Sequence, residues 1–370
     1  MKICFWGNIA CALKGETIGG GELQISLLAK ALAQAGHEVV VIDPHILDSF
    51  TTQEGIKVLA VPDWNKGPNG IRLFRYRIPR LYKMMVQQKA DYYYVRMRIY
   101  LHIVSYLAAK KAGGKFLISL ASDIDPLSLW KKYKYEYKAN FNFFRYLTQW
   151  LPNDIVFKFL VKRADYVLKQ HDGQIIKWKK KKGKIVTFPN IINLEKLPVN
   201  CNDKGSYFIY AGSVTMLKGA KELQDIVKSQ TGNYQVMIVG QPNDVKAVPV
   251  YNEIKKMSNG SVKGRLEHFE TLKLISKAKA LINTSNFEGF PNVFLEAWGM
   301  GVPVLSLKVN PGNIFNKYHL GQCFDGNLEG MKKAMMHSGN DFKDGNELTS
   351  YVYKFHDFKT AADRFVAGLK

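Results

Sequence analysis

The sequence predicts an α/β chain of two doubly wound domains, and three observations carry that prediction. In residues 279–307, KALINTSNFEGFPNVFLEAWGMGVPVLSL, the apolar run Ala280-Leu281-Ile282 suits a buried parallel strand. A polar loop runs to Pro291, Asn292 opens a helix that Gly299 and Gly301 close, and Val304-Leu305 is a second buried strand. A similar order stands at the front of the chain: strand Lys2 to Gly7, loop Asn8 to Gly21, helix Glu22 to Ala35, strand Glu38 to Asp43. Ile25, Leu28, Ala29 and Leu32 fall at helical spacing there, and Gly36 ends the helix. Finally, 370 residues with 46% hydrophobic content hold two domains of about 150 to 190 residues, each with a full core.

In chain order, Ile56 to Val61 is a strand, and Arg72, Arg75, Arg77 and Arg80 run into a helix. Tyr92 to Arg96 is a strand, Leu101 to Ala112 a helix ended by Gly113-Gly114, and Lys115 to Leu120 a further strand. Open α/β sheets bind ligands beyond the carboxyl ends of their strands, so Asp123, just past Leu120, is a candidate site residue. A Ser/Asp cap ahead of Pro126 is the plainer alternative. Ile185 to Phe188 is a strand, and the polar stretch from Pro189 through Gly205 reads as an interdomain connection. The boundaries are then 1–190 for the first domain, 191–205 for the linker and 206–345 for the second domain.

The second domain opens with a strand, Tyr207 to Gly212, the loop Ser213 to Leu217, and a helix from Lys218-Gly219 to about Lys228. Lys218 at that strand-to-helix junction suits a phosphate, or is a solvated lysine at a helix start. Gln235 to Val239 and Val262 to Gly264 are strands, and the helix Leu272 to Ala278 leads back to residues 279–307. Beyond Gly321 the pattern is mostly helical.

Glu296 is set in VFLEAWGM with apolar neighbours on both sides, and a buried carboxylate is costly unless something hydrogen-bonds it. Glu288 stands eight residues earlier, in the loop. Between them, Gly289 to Asn292 present backbone N–H groups at a helix start, a ready anion site. Carboxylates repel phosphate, so the two glutamates are expected to flank an anion and accept bonds from hydroxyls. Hydroxyl, diphosphate, hydroxyl describes a nucleotide-sugar. The bland alternative makes Glu288 a solvated loop residue and Glu296 a helix-dipole partner.

With those residues in view, EGFPNVFLE resembles the E-x7-E motif of retaining GT-B glycosyltransferases of family 4, and AWGMGVPVLS resembles its continuation. Gly19-Gly20-Gly21 followed by ELQISLLAKALAQAGHEVVVID is similar to that family's first β–loop–α–β, and VKRADYVLKQHDGQIIKW to the strand and helix that end its N-terminal half. The resemblance covers nearly the whole chain. It implies the GT-B fold, two Rossmann-like domains facing a central cleft, with 346–370 as helices crossing back to the first domain. It also implies sugar transfer from a nucleoside diphosphate sugar with retention at the anomeric carbon, no metal and no cofactor. By the same resemblance Glu288 holds the donor sugar, Glu296 the ribose, and Gly289, Phe290, Pro291, Asn292 and Val293 the diphosphate. The glycine loop Gly19, Gly20, Gly21 lies over the donor phosphates and the acceptor side, and Arg265, Glu267 and His268 fall where the nucleobase is held.

Two departures stand out. Family members carry a histidine near Asp123, where this chain has none, and an arginine after the glycine that here precedes Ser213. Stabilisation of the leaving diphosphate then rests on Lys218, the helix start at Asn292 and the glycine loop. A donor phosphate oxygen is implied to take the acceptor proton, so no side-chain nucleophile is needed. A GT-B sugar-nucleotide epimerase is one alternative; a basic membrane- or nucleic-acid-binding protein with a vestigial site is the other. The two glutamates oppose the latter, and Ser213 favours it.

The net charge is +22. Residues 126–184 hold fifteen Lys/Arg against four Asp/Glu, half of that excess in a sixth of the chain, interleaved with thirteen aromatics. Such a mixture suits an anionic membrane surface, where rings sit at headgroup level. Nucleic acid and a solvated basic face are the weaker readings. No apolar run reaches the roughly 18 residues of a spanning helix, and Met1 to Gly7 enters a strand directly, so no signal peptide is expected. The four cysteines include no CxxC pair, as expected of reduced cytosolic thiols. The expectation is therefore a cytoplasmic enzyme, peripheral on the inner face of a membrane, with a glycan or lipid-linked acceptor in surface-polysaccharide or lipopolysaccharide synthesis.

Overall fold

The computed structural model describes residues 1–16, 19–133, 142–176, 178, 182–198, 205–229, 234–257, 261–337 and 345–370. The chain divides into two units, the first formed by Met1–Ala121, Asn142–Ile191 and Phe358–Lys370, the second by Ser122–Phe141 and Ile192–Asp357.

In the first unit the elements run β1 (Lys2–Trp6), α1 (Ala10–Leu13), α2 (Gly20–Gln34), β2 (Glu38–Asp43), β3 (Phe50–Thr51), β4 (Lys57–Ala60), α3 (Asn69–Arg72), α4 (Ile78–Gln88), β5 (Tyr92–Arg96), α5 (His102–Ala112) and β6 (Lys115–Ser119). After α6 (Leu129–Lys132), which belongs to the second unit, come α7 (Phe143–Arg145), α8 (Leu151–Arg163), β7 (Tyr166–Lys169) and β8 (Lys184–Thr187). The sheet order is β3-β4-β2-β1-β5-β6-β7-β8, parallel except for the short edge strand β3. Central strands such as β1 are buried on both faces, hence their continuous apolar character. One face is covered by α2, and α4, α5 and α8 cover the other, contributing Leu81, Val104 and Phe157 among others to its core.

The helix ends follow local chemistry. α2 starts at Gly20, two residues before the expected Glu22, and closes on Gly36 at φ +80° with His37 N–H on the Leu32 carbonyl at 3.0 Å. The four residues of α1 were expected as loop; so short a helix has no readable period. A π turn stands ahead of each of two helices, Leu73–Arg77 before α4 and Tyr146–Trp150 before α8, among the described residues. Each π turn is followed two residues later by a proline, Pro79 and Pro152. A proline ring pushes on the carbonyl four residues back and donates no bond to it, and a widened turn relieves both problems.

The second unit continues with β9 (Tyr207–Ala211), α9 (Ala220–Lys228), β10 (Gln235–Val239), α10 (Ala247–Met257), β11 (Val262–Gly264), α11 (His268–Lys277), β12 (Ala280–Asn283), α12 (Asn292–Gly299), β13 (Val304–Ser306), α13 (Ile314–Tyr318), β14 (Gly321–Cys323), α14 (Leu328–His337) and α15 (Gly345–His356). Its sheet is wholly parallel, in the order β11-β10-β9-β12-β13-β14. The last helix, α16 (Ala361–Leu369), returns to the first unit, where Phe365 and Leu369 enter the core and Tyr166 Oη donates to the Leu369 carbonyl at 2.6 Å. The expected terminal segment 346–370 is thus divided: α15 packs on α12, and only Phe358–Lys370 joins the first unit. Residues 122–133 group with the second unit rather than with the first, and Asp123 N–H reaches the Glu288 carbonyl at 3.3 Å. Part of the expected linker, 199–204, lies outside the described residues, as do Cys201 and residues 134–141 of the basic segment.

Candidate functional site

Numbered within the second unit, the strand order is 3-2-1-4-5-6. Strands one and four, β9 and β12, lie side by side, and the connections on their two sides depart in opposite directions. That switch point is where a doubly wound sheet leaves a crevice at its carboxyl edge. The loops after β9 and β12 carry Lys218 and Glu288.

Backbone bonds knit these two loops together. Asn286 N–H donates to the Leu217 carbonyl at 2.9 Å, and Thr284 Oγ1 donates to the Lys218 carbonyl at 2.8 Å. Lys218 N–H in turn donates to Thr215 Oγ1 at 3.1 Å. Gly219 sits at φ +72°, and a Cβ there would fall 2.0 Å from the Thr284 carbonyl oxygen. Only glycine permits that approach. So fixed, Lys218 Nζ lies 2.9 Å from Glu288 Oε1, which also accepts from Ser285 Oγ at 3.1 Å. Burial, and secondly the Glu288 charge, push the Tyr210 hydroxyl above its ordinary range. Tyr210 Oη donates to the Ser213 carbonyl at 3.0 Å, so Ser213 is present in the same loop but brings no cation.

Past Glu288 the chain buries Gly289, Phe290 and Pro291 and enters α12 from an extended Pro291. The first turn of a helix directs amides beyond its start, and Asn292 and Val293 occupy it. Val293, Ala297 and Met300 fall at helical spacing on α12 and its C-cap, but they do not form one buried stripe. Phe294, Leu295, Ala297, Trp298 and Met300 are the fully buried residues, while Val293 is half-buried. α12 is therefore covered on two sides, and Asn292, Val293 and Glu296 share its less covered stripe. Burial raises the Glu296 carboxyl above the usual glutamate range, and His268, with Nε2 3.6 Å from Oε1, opposes the shift. Of the three nucleobase candidates only His268 is brought to the motif; Arg265 and Glu267 are exposed in the turn after β11.

Asp123 reaches the Glu288 segment through its backbone. Asp125 is a turn former, its buried carboxylate accepting from Ser122 N–H at 2.9 Å. Gly19, Gly20 and Gly21 form the start of α2 in the first unit, and a Cβ on Gly21 would lie 2.9 Å from Met97 Sδ. One residue escaped the sequence reading. Lys308, in the loop after β13, places Nζ 2.5 Å from Asn286 Oδ1 and 3.5 Å from Glu222 Oε1. Its signal was available: it stands at the carboxyl end of a recognised parallel strand.

Comparison with known proteins bears on the family and the fold. Residues 18–196 match the family model described as Glycosyltransferase Family 4, and residues 194–328 match that of Glycosyl transferases group 1. A lipopolysaccharide 1,6-galactosyltransferase of Escherichia coli K12 is 30% identical over 104 residues, covering 27% of this chain and 29% of that protein. Sucrose-phosphate synthase from Thermosynechococcus elongatus superposes with a TM-score of 0.77 at 16% identity, over 99% of this chain and 97% of the other. HepE of Anabaena, solved in complex with UDP-glucose, superposes with a TM-score of 0.71 at 14% identity, over 100% and 99%. Among the described residues no helix is long and apolar enough to cross a membrane.

Proposed function

The chain belongs to the family 4 glycosyltransferases, with their GT-B fold, and from that premise we propose that it moves a hexose, with retention, from a nucleoside diphosphate sugar to a lipopolysaccharide-type glycan or lipid-linked acceptor. The observation that carries the reading is the Lys218–Glu288 pair at the switch point, four residues ahead of the α12 start. Breaking the anomeric bond places charge on the departing diphosphate. A fixed cation and helix-start amides stabilise that charge more in the transition state than in the bound donor. Glu288 accepts from sugar hydroxyls, Glu296 from the ribose, and His268 lies on the nucleoside side of Glu296. Lys308 adds positive potential beside the same loop, in a site whose loop after β9 offers Ser213 in place of a second cation. The partial match to the galactosyltransferase and the UDP-glucose complex of HepE support a UDP-hexose. Asp123 and the glycine loop Gly19–Gly21 are assigned to the acceptor and phosphate sides by the family resemblance.

We also read residues 126–184 as facing an anionic membrane. Phe157 and Tyr166 of its aromatics are core residues, whereas Trp130, Phe143 and Phe144 stand exposed.

The test is a coupled assay of UDP release from UDP-galactose and UDP-glucose with truncated lipopolysaccharides, with the product anomer read by NMR. Release that requires acceptor and gives a retained anomer is the expected result. Interconversion of the nucleotide-sugars without acceptor would make the protein an epimerase instead.

A further inference from the structure

The three helices on one face of the first sheet differ in length in an ordered way. α4 packs on α5, and α5 on α8. Each bridges two parallel strands, so each starts at the carboxyl edge of the sheet and ends at the amino edge. α5 has eleven residues. Its neighbours are longer at their starts: α4 is preceded by a four-residue helix and a five-residue π turn, α8 by a three-residue helix and a five-residue π turn. At about 1.5 Å per residue these added turns lengthen α4 and α8 at their starts by about 12 Å or slightly more, an overhang that α5 lacks. Helices two places apart in a layer lie about 16–20 Å from one another, so the overhangs form a pair of separated tips.

Both tips carry what a folded core would bury. Ile71 and Phe74 are 55% and 72% exposed on the first, Phe143 and Phe144 66% and 75% on the second. The first tip stands in residues 63–91, which hold seven Lys/Arg against two Asp, and Asp63 pairs with Arg80 and Lys66. Arg75 is exposed there, and Arg145 is exposed on the second tip. Two apolar tips on one edge, set among cations, match a flat apolar layer covered by negative charge better than they match a groove.

We propose that these two tips insert together into the headgroup layer of an anionic bilayer. The proposal rests on the membrane reading of residues 126–184 and extends it to residues 69–80, which that reading did not include. Rings and aliphatic side chains go to the acyl boundary while arginines meet lipid phosphates.

The experiment is cosedimentation of the full chain with phosphatidylcholine vesicles, with and without phosphatidylglycerol. Ile71→Ser with Phe74→Ser, and separately Phe143→Ser with Phe144→Ser, are each expected to lower affinity for the anionic vesicles about tenfold, and Arg75→Gln about fivefold. The thermal midpoint, read alongside, stays unchanged because all five side chains are exposed. If only the Phe143 and Phe144 pair matters, the paired-tip proposal is overturned and the reading of 126–184 survives. Equal binding to neutral and anionic vesicles, or none, overturns both. A nucleic-acid gel shift lost in these variants, with vesicle binding intact, also overturns the proposal.

Discussion

The two sheets share a strand order around their first strand, yet their switch points are used in opposite ways. In the first unit the junction lies between β1 and β5, and the protein's own groups fill it. The Ile9 and Ala10 N–H groups, at the start of α1, both donate to Asp43 Oδ2 at 2.8 Å. Arg96, at the end of β5, is buried and donates to Ser119 Oγ at 3.3 Å and Asn190 Oδ1 at 3.0 Å. In the second unit the matching places hold Lys218, Glu288 and the first turn of α12. A carboxylate from inside the chain occupies the helix start in the first unit, whereas in the second the loop ahead of the helix pairs its carboxylate with a lysine. The same topology thus serves as a joint in one unit and as a candidate site in the other, and side chains decide which.

That contrast can be broken by substitution. Asp43→Ala leaves the buried amides of Ile9 and Ala10, and the more exposed amide of His45, without their acceptor, and denaturant unfolding should show a loss of about 3 kcal/mol. Lys218→Ala should barely move the unfolding midpoint, yet lower turnover about a hundredfold or more with a smaller change in donor affinity. A variant affecting only the Michaelis constant would place Lys218 on the ground-state side. Gly219→Ala sharpens the comparison, because it separates the knitted loops at a left-handed backbone position. About 2 kcal/mol of stability and a rate loss approaching that of Lys218→Ala are expected together.

The smallest effects concern Glu296. Glu296→Ala should weaken UDP binding about tenfold by calorimetry, as expected for loss of one charged hydrogen bond. Its pH dependence has a definite sign. Burial holds the proton on in the folded state after the unfolded chain has released it, so stability falls as pH rises from the ordinary glutamate range through the raised value. In Glu296→Gln that segment of the stability curve should flatten, and thermal melts across acidic to neutral pH would show it.

Much of this was legible in the residues. Strands with continuous apolar runs, such as Tyr207–Ala211 and Ala280–Asn283, and helices ended by glycine, such as α2, follow from period and punctuation alone. Glu296 stands out as a carboxylate among apolar neighbours, and Glu288 by its place eight residues earlier in the loop ahead of the helix. What escaped depends on contacts between distant segments. Lys308 is marked in the sequence only by its place after the strand Val304–Ser306, and its partners Asn286 and Glu222 are supplied by the fold. Only the fold separates Phe157, a core residue, from Phe143 and Phe144, since all three lie in one basic-aromatic string. The π turns were likewise invisible as such, although Pro79 and Pro152 mark where they end.

The return of the chain to the first unit at Phe358 bears on the order of assembly. Residues 192–357 are an insertion between two pieces of one core, with Ile192 N–H on the His356 carbonyl at 3.0 Å where the inserted chain closes on itself. During synthesis the second unit is complete before Phe365 and Leu369 exist to cover α2 and give Tyr166 its acceptor. The nascent first unit therefore waits with part of its apolar face open while its neighbour folds. Chaperone dependence should then trace to residues made early, and be relieved by a circular permutation that places 358–370 ahead of Met1.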